Sequence, residues 1–226
     1  MPIDFNKYPQ QSRMRHHTGS NLYFRADELK EKVDYYPPLY DKINWSDVFQ
    51  NIAKPSLLDV GCGKGAFLIE FAQNNPDQNI LGIEVRKPIV EWLQLIIKSE
   101  NIVNCGVIWY SIVNGLKFVE SNSINKIFYL FPDPWHKRKH HKRRAFTTDL
   151  LDEFQRILTN DGCLYLATDV KKVDIEHQKT LNRHNGFDFR VVNEESEWNL
   201  PITNKEKFCR TNNIDFFRII AKKRED

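Results

Sequence analysis

The sequence predicts an α/β fold, a mostly parallel seven-stranded sheet with helices on both faces. Three observations carry this. Short apolar runs of strand length alternate with stretches whose apolar residues recur at helical spacing. A glycine-rich turn joins the first such run to the first such helix. The chain then closes on two segments that alternate apolar and polar residues.

The elements follow in order. Residues 1–34 are polar and mixed, with Arg13, Arg15 and Arg25, and read as a flexible basic arm that a partner can order. The remaining 35–226 read as one domain. Tyr35, Tyr36, Pro37 and Pro38 mark a turn or extended stretch, and Ser46 is placed to cap a short helix reaching Ala53. Leu57 to Val60 is a buried strand. Phe67, Leu68 and Phe71 follow at helical spacing, and Pro76 ends that helix. Ile80 to Glu84 is the second strand. Ile89, Trp92, Leu93, Ile96 and Ile97 fit one helix face, with Pro88 near its start. Val107 to Trp109 and Lys126 to Phe131 are the third and fourth strands. Leu150, Leu151, Phe154, Ile157 and Leu158 form another helical stripe. Asn160-Asp161-Gly162 turns the chain into a fifth strand, Cys163 to Ala167, and a helix follows to about residue 184. Phe187, Phe189 and Val191, then Phe217 and Ile219, mark the closing strands.

Composition narrows the function classes. A chain of 226 residues supports one sizeable core, and 41% hydrophobic with 12% aromatic residues excludes a disordered chain. The net charge of +3 does not itself point to nucleic acid, so the placement of charge must decide. Cys62, Cys105, Cys163 and Cys209 form no C-x-x-C pair and read as reduced thiols of a cytoplasmic protein. No signal-peptide core and no run of membrane-spanning length occurs, so no membrane partner is expected. No obligatory protein partner is evident either.

Three motifs fall at carboxyl ends of strands, where ligands of such sheets bind. The first is Asp59-Val60-Gly61-Cys62-Gly63-Lys64-Gly65, with Glu84 at the end of the next strand. The glycines let the backbone approach a ligand, Asp59 can meet an ammonium group, and Glu84 can take the two hydroxyls of a ribose. The spacing is G-x-G-x-G with an acid two residues ahead, unlike the G-x-G-x-x-G of NAD sites. It suits S-adenosylmethionine, which carries an amino group and a sulfonium and no pyrophosphate. The second is Phe131-Pro132-Asp133-Pro134-Trp135, where two prolines stiffen the backbone carrying Asp133. The third is the run from His136 to Arg144, without an acid between Asp133 and Asp149. It concentrates positive charge where a polyanion would lie. Its histidines lack neighbouring carboxylates or cysteines, so no metal is expected.

The stretch F-P-D-P-W-H-K-R-K-H-H-K-R-R, from Phe131 to Arg144, resembles the signature of the bacterial tRNA (guanine-N7)-methyltransferase family. So do Gly82-Ile83-Glu84-Val85-Arg86-Lys87-Pro88 and the arm segment Arg13-Met14-Arg15-His16-His17, and agreement extends over residues 13–222. The resemblance implies a Rossmann-like class I methyltransferase fold and methylation of guanine N7 at position 46 in the variable loop of tRNA. It implies a cofactor site at Asp59, Gly61, Gly63 and Glu84, with Ser111 placed there by ungapped alignment. Asp133 would be the catalytic residue and border the same site. Lys137, Asp169, Thr203 and Glu206 would contact tRNA, joined by Arg138, Lys142, Arg143 and Arg144 of the basic run. Four departures stand out. Ser111 stands where members usually carry an Asp or Asn. Lys205 replaces the aromatic of a T-x-Y-E segment, His136 replaces a common proline, and Asp59 a common Glu.

Two rival readings remain. One is an enzyme of this fold acting on a protein or small molecule, which the basic run disfavours. The other is a nucleic-acid-binding protein with a vestigial cofactor pocket, which the coexistence of Asp59, Glu84 and Asp133 disfavours.

Overall fold

Strands buried on both faces read as unbroken apolar runs, and every residue of β1 (Leu57–Val60) and β2 (Ile80–Glu84) is buried. The computed structural model describes residues 3–9, 19–31, 33–135 and 143–224. Five further strands complete one sheet: β3 (Cys105–Trp109), β4 (Ile124–Leu130), β5 (Leu158–Thr168), β6 (Phe187–Val191) and β7 (Phe217–Lys223). The order is β3-β2-β1-β4-β5-β7-β6. The first five strands run parallel, and β7 lies antiparallel to both β5 and β6.

Alternate residues of a strand serve opposite faces. Phe128 of β4 joins the cluster under α1 (Ala66–Asn74) and α2 (Lys87–Ser99). Its neighbours Ile127 and Tyr129 join the cluster under α3 (Thr148–Ile157) and α4 (Lys171–Arg183). The α2 stripe Ile89, Trp92, Leu93, Ile96 and Ile97 is buried throughout. Because β1 has β2 on one side and β4 on the other, the loops leaving β1 and β4 diverge and open a crevice at that switch point.

Four details differ from the sequence reading. The expected helix from Ser46 to Ala53 is only a 3-10 turn, Trp45–Asp47. Beyond it Ile52 takes φ 62, and the Asn51 and Asn79 side-chain amides exchange hydrogen bonds at 2.7 and 2.9 Å. Asn160-Asp161-Gly162 does not separate two elements: it bulges within β5, where the register with β4 jumps from Ile124↔Leu158 to Lys126↔Cys163. Strand bounds move by one to two residues at β3 and β4. Two short helices, α5 (Glu195–Trp198) and α6 (Asn204–Thr211), lie between β6 and β7.

The described parts of the first 34 residues lie against the domain. Phe5 meets Trp92 at 5.8 Å, and the Trp92 indole donates to the Tyr8 carbonyl at 3.0 Å. Leu22 is buried at 2% exposure. Among the described residues, no helix is long and apolar enough to cross a membrane.

Candidate active site

A cavity of about 590 Å³ opens at the carboxyl ends of β1, β2 and β4. Its floor is the glycine turn. The Gly61 and Cys62 amides donate to the Ile83 carbonyl, at 2.8 and 3.1 Å, which ties the turn to β2. Gly61 has φ 79, and a side chain there would meet no atom within 4 Å, so bare backbone faces open space. Gly65 has φ 73 and lies so close to Leu93 that any Cβ would collide with it.

The acids behave as their surroundings require. Asp59 is 3% exposed, and burial together with the nearby Glu84 carboxylate raises it to about 8. A cationic ligand would relieve that cost. Glu84 accepts from the Gly63 amide at 3.1 Å and from the Arg86 amide at 2.9 Å. It also accepts from the Arg86 guanidinium twice, at 2.8 Å each. The Glu84 lone pairs are therefore filled, and a ribose diol can be accepted there only as Arg86 yields. Ser111 lines the cavity after β3, but its hydroxyl donates to the Leu22 carbonyl at 2.6 Å and so anchors the N-terminal segment. The donor set fits S-adenosylmethionine: Asp59 for its ammonium, Glu84 for its ribose, and the glycine backbone between them.

Asp133 borders the same cavity. The backbone around it is strained, with φ 53 at Phe131 and φ 44 at Trp135, both unusual for bulky residues. Arg144 holds this loop: it donates to the Pro134 carbonyl at 2.8 and 2.5 Å and pairs with Glu176. Tyr23 donates to Asp133 Oδ2 at 2.8 Å and packs edge-on against Trp135 at 4.7 Å. The Arg143 guanidinium lies 4.9 Å from the Trp135 ring centre. Tyr23 and Arg143 thus both lie against Trp135.

Two of the residues expected to contact tRNA have partners within the protein. Arg144 also lines the cavity, but its side chain is 14% exposed and is turned towards the Pro134 carbonyl and Glu176. Glu206 is 1% exposed and does not line the cavity. It accepts from Arg218 at 2.6 Å and from Arg210 at 2.7 Å, and so anchors α6. Thr203, Asp169 and Arg143 line the cavity as well. Thr203 also caps α6, accepting from the Glu206 amide at 3.0 Å. Lys205, at the position of the missing aromatic, pairs with Asp169 at 2.7 Å. Lys137, Arg138 and Lys142 lie outside the described residues. Among the described residues, no cluster of three His, Cys, Asp or Glu is placed to hold a metal, and all four cysteines are free thiols.

Tyr23 and Arg86 carry roles that the sequence reading did not assign. Arg86 stood inside a quoted motif, two residues from Glu84. Tyr23 gave no signal beyond being an aromatic in a polar arm.

A family model described as "Putative methyltransferase" matches residues 53–219. A tRNA (guanine-N(7)-)-methyltransferase of Thermosynechococcus vestitus is 30% identical over 190 residues, which is 83% of this chain and 87% of the relative. The chain belongs to the tRNA (guanine-N(7)-)-methyltransferase family. The family member of Vibrio cholerae is 34% identical over 157 residues, covering 69% of this chain and 64% of its own length. That of Buchnera aphidicola is 40% identical over 128 residues, covering 56% and 52%. The matched stretch thus spans less than two-thirds of these two relatives.

Solved structures give the fold. A putative S-adenosyl-L-methionine-dependent methyltransferase of Methanococcus maripaludis superposes with TM-score 0.54 at 14% identity, covering 75% of this chain and 78% of its own. A SAM-dependent O-methyltransferase of Thermotoga maritima gives 0.52 at 16%, covering 76% and 61%. The family member described here has the Rossmann-like class I architecture of these enzymes.

Proposed function

We propose that this protein transfers a methyl group from S-adenosylmethionine to N7 of guanine 46 in the tRNA variable loop, forming 7-methylguanosine. The carrying observation is the placement of Asp133, held on a clamped and strained loop, in one cavity with Asp59 and Glu84. The arginines and lysines that follow Asp133 in the sequence suit a polyanionic substrate.

The cofactor supplies an electrophilic methyl carbon on a sulfonium. Guanine N7 has a free lone pair and no proton, so no general base is needed for its attack. The protein's task is to hold the unstacked base in line and to stabilise charge. Positive charge builds on the purine during transfer, and the Asp133 carboxylate stabilises it. Arg144 keeps that carboxylate in place through Pro134. Arg143, at the cavity wall beside Trp135, is a cation of the described residues that can meet a phosphate.

Incubation with tRNA and labelled cofactor, followed by nucleoside analysis, tests this. The label should appear in 7-methylguanosine and vanish when guanine 46 is replaced by adenine. Label in another nucleoside, or none in tRNA, overturns the proposal.

A further inference from the structure

The Tyr23 ring stands beside the proposed reaction centre in a way the transfer mechanism does not use. Its hydroxyl donates to Asp133 Oδ2 at 2.8 Å, and its ring makes a T-shaped contact with Trp135, centre to centre 4.7 Å. It lines the cavity together with the glycine turn. The contact is built from behind. Leu22 is 2% exposed, and its carbonyl accepts from Ser111 at 2.6 Å. The Phe24 carbonyl accepts from Tyr36 at 2.7 Å, and the Ala26 amide donates to Asn114 at 2.9 Å. The backbone on both sides of Tyr23 is therefore fixed, and the ring is delivered to one place. Burial and the adjacent Asp133 carboxylate push the Tyr23 hydroxyl up, so it stays a donor.

A flat ring with a donor on its edge, aimed at Asp133 and packed on Trp135, has the features of a purine presenting its N–H edge. We propose that Tyr23 is a place-holder for the target base: it engages Asp133 and Trp135 and must leave as the guanine enters. This rests on the proposed tRNA methylation. Substrate binding then carries the cost of breaking the Tyr23–Asp133 hydrogen bond. A bond to a charged group of this kind corresponds to roughly tenfold in affinity.

The test compares Tyr23→Phe and Tyr23→Ala with the wild type. tRNA affinity is measured with S-adenosylhomocysteine bound, and kcat/KM for tRNA is measured separately. Tyr23→Phe, which differs by one oxygen, should bind tRNA about three- to tenfold tighter and show a raised kcat/KM. Tyr23→Ala, which also empties the ring position, should show at least as large a gain. Should Tyr23→Ala fail to fold, Tyr23→Phe alone decides. Unchanged or weaker tRNA binding in Tyr23→Phe, or a fall in kcat/KM, overturns the place-holder and makes Tyr23 a support for Asp133. Failure of the methylation reading is seen separately, as wild-type protein that does not bind tRNA or does not form 7-methylguanosine.

Discussion

The guanidinium of Arg86 lies on the carboxylate of Glu84, with Nε 2.8 Å from Oε1 and Nη2 2.8 Å from Oε2. Glu84 is 3% exposed, so the pair holds a charge that would otherwise be buried alone. Removing one partner of such a pair is costly. Arg86→Met should lower stability by about 3 kcal/mol without cofactor. If Glu84 takes the cofactor's ribose, the loss should shrink with saturating S-adenosylmethionine, because the ribose hydroxyls then occupy Glu84 in either protein. Linkage makes that equivalent to tighter cofactor binding by the variant. Denaturant unfolding with and without cofactor checks both, and an equal loss in the two conditions would show that Arg86 does not move.

Asp59 makes a pH prediction. In the folded protein it is raised to about 8 by burial and by Glu84, whereas an unfolded aspartate titrates near 3.9. Between these values the folded state binds a proton that the unfolded state lacks, so this group's contribution to stability falls as pH rises through the window. Asp59→Asn should remove that decline, seen as a flatter plot of urea midpoint from pH 5 to 8. The cofactor's ammonium requires the ionised carboxylate, so wild-type affinity should rise with pH until about 8. Calorimetry in buffers of different ionisation enthalpy should show a proton released on binding, absent in Asp59→Asn.

Asp133→Asn keeps an acceptor for Tyr23 but removes the charge that, on the proposed mechanism, stabilises the methylated purine. Single-turnover rate at saturating tRNA should fall by about 100-fold or more, with cofactor affinity changed less than about threefold. A near wild-type rate would reduce Asp133 to a turn residue.

Arg143 and Arg144 are adjacent and should separate. The salt dependence of tRNA affinity counts phosphate contacts, at about 0.7–0.9 log units of slope for each. Arg143→Gln should make the slope shallower by about that amount. Arg144→Gln should leave the slope unchanged and lower the rate, because its guanidinium serves Pro134 and Glu176. The same slope change in both variants would mean that Arg144 turns outward on binding RNA.

Lys205 and Asp169 are only partly buried, at 42% and 20% exposure, so their ion pair contributes at most about 1 kcal/mol to stability. Lys205→Ala should leave the melting temperature nearly unchanged. It should weaken tRNA binding several-fold at low salt, because Asp169 is left unneutralised at the cavity. Unaltered binding would assign the pair to α6 alone.

The sequence by itself determined the alternation of strands and helices, the glycine turn, and the acids at the ends of β1, β2 and β4. These are legible because they rest on local signals: apolar periodicity, turn residues, and the rule that ligands meet such sheets at strand ends. It also marked the basic run, but not the direction in which each cation faces. Only the tertiary structure decided that Arg144 turns inward, that Glu206 is buried on Arg210 and Arg218, and that Tyr23 reaches Asp133 across 110 residues. α5 and α6 stayed hidden because α5 has four residues and α6 eight, too few for a periodic stripe to emerge. A side chain's partner is set by which faces the sheet order brings together and by which buried charge must be compensated there, and neither quantity is local to any stretch of sequence.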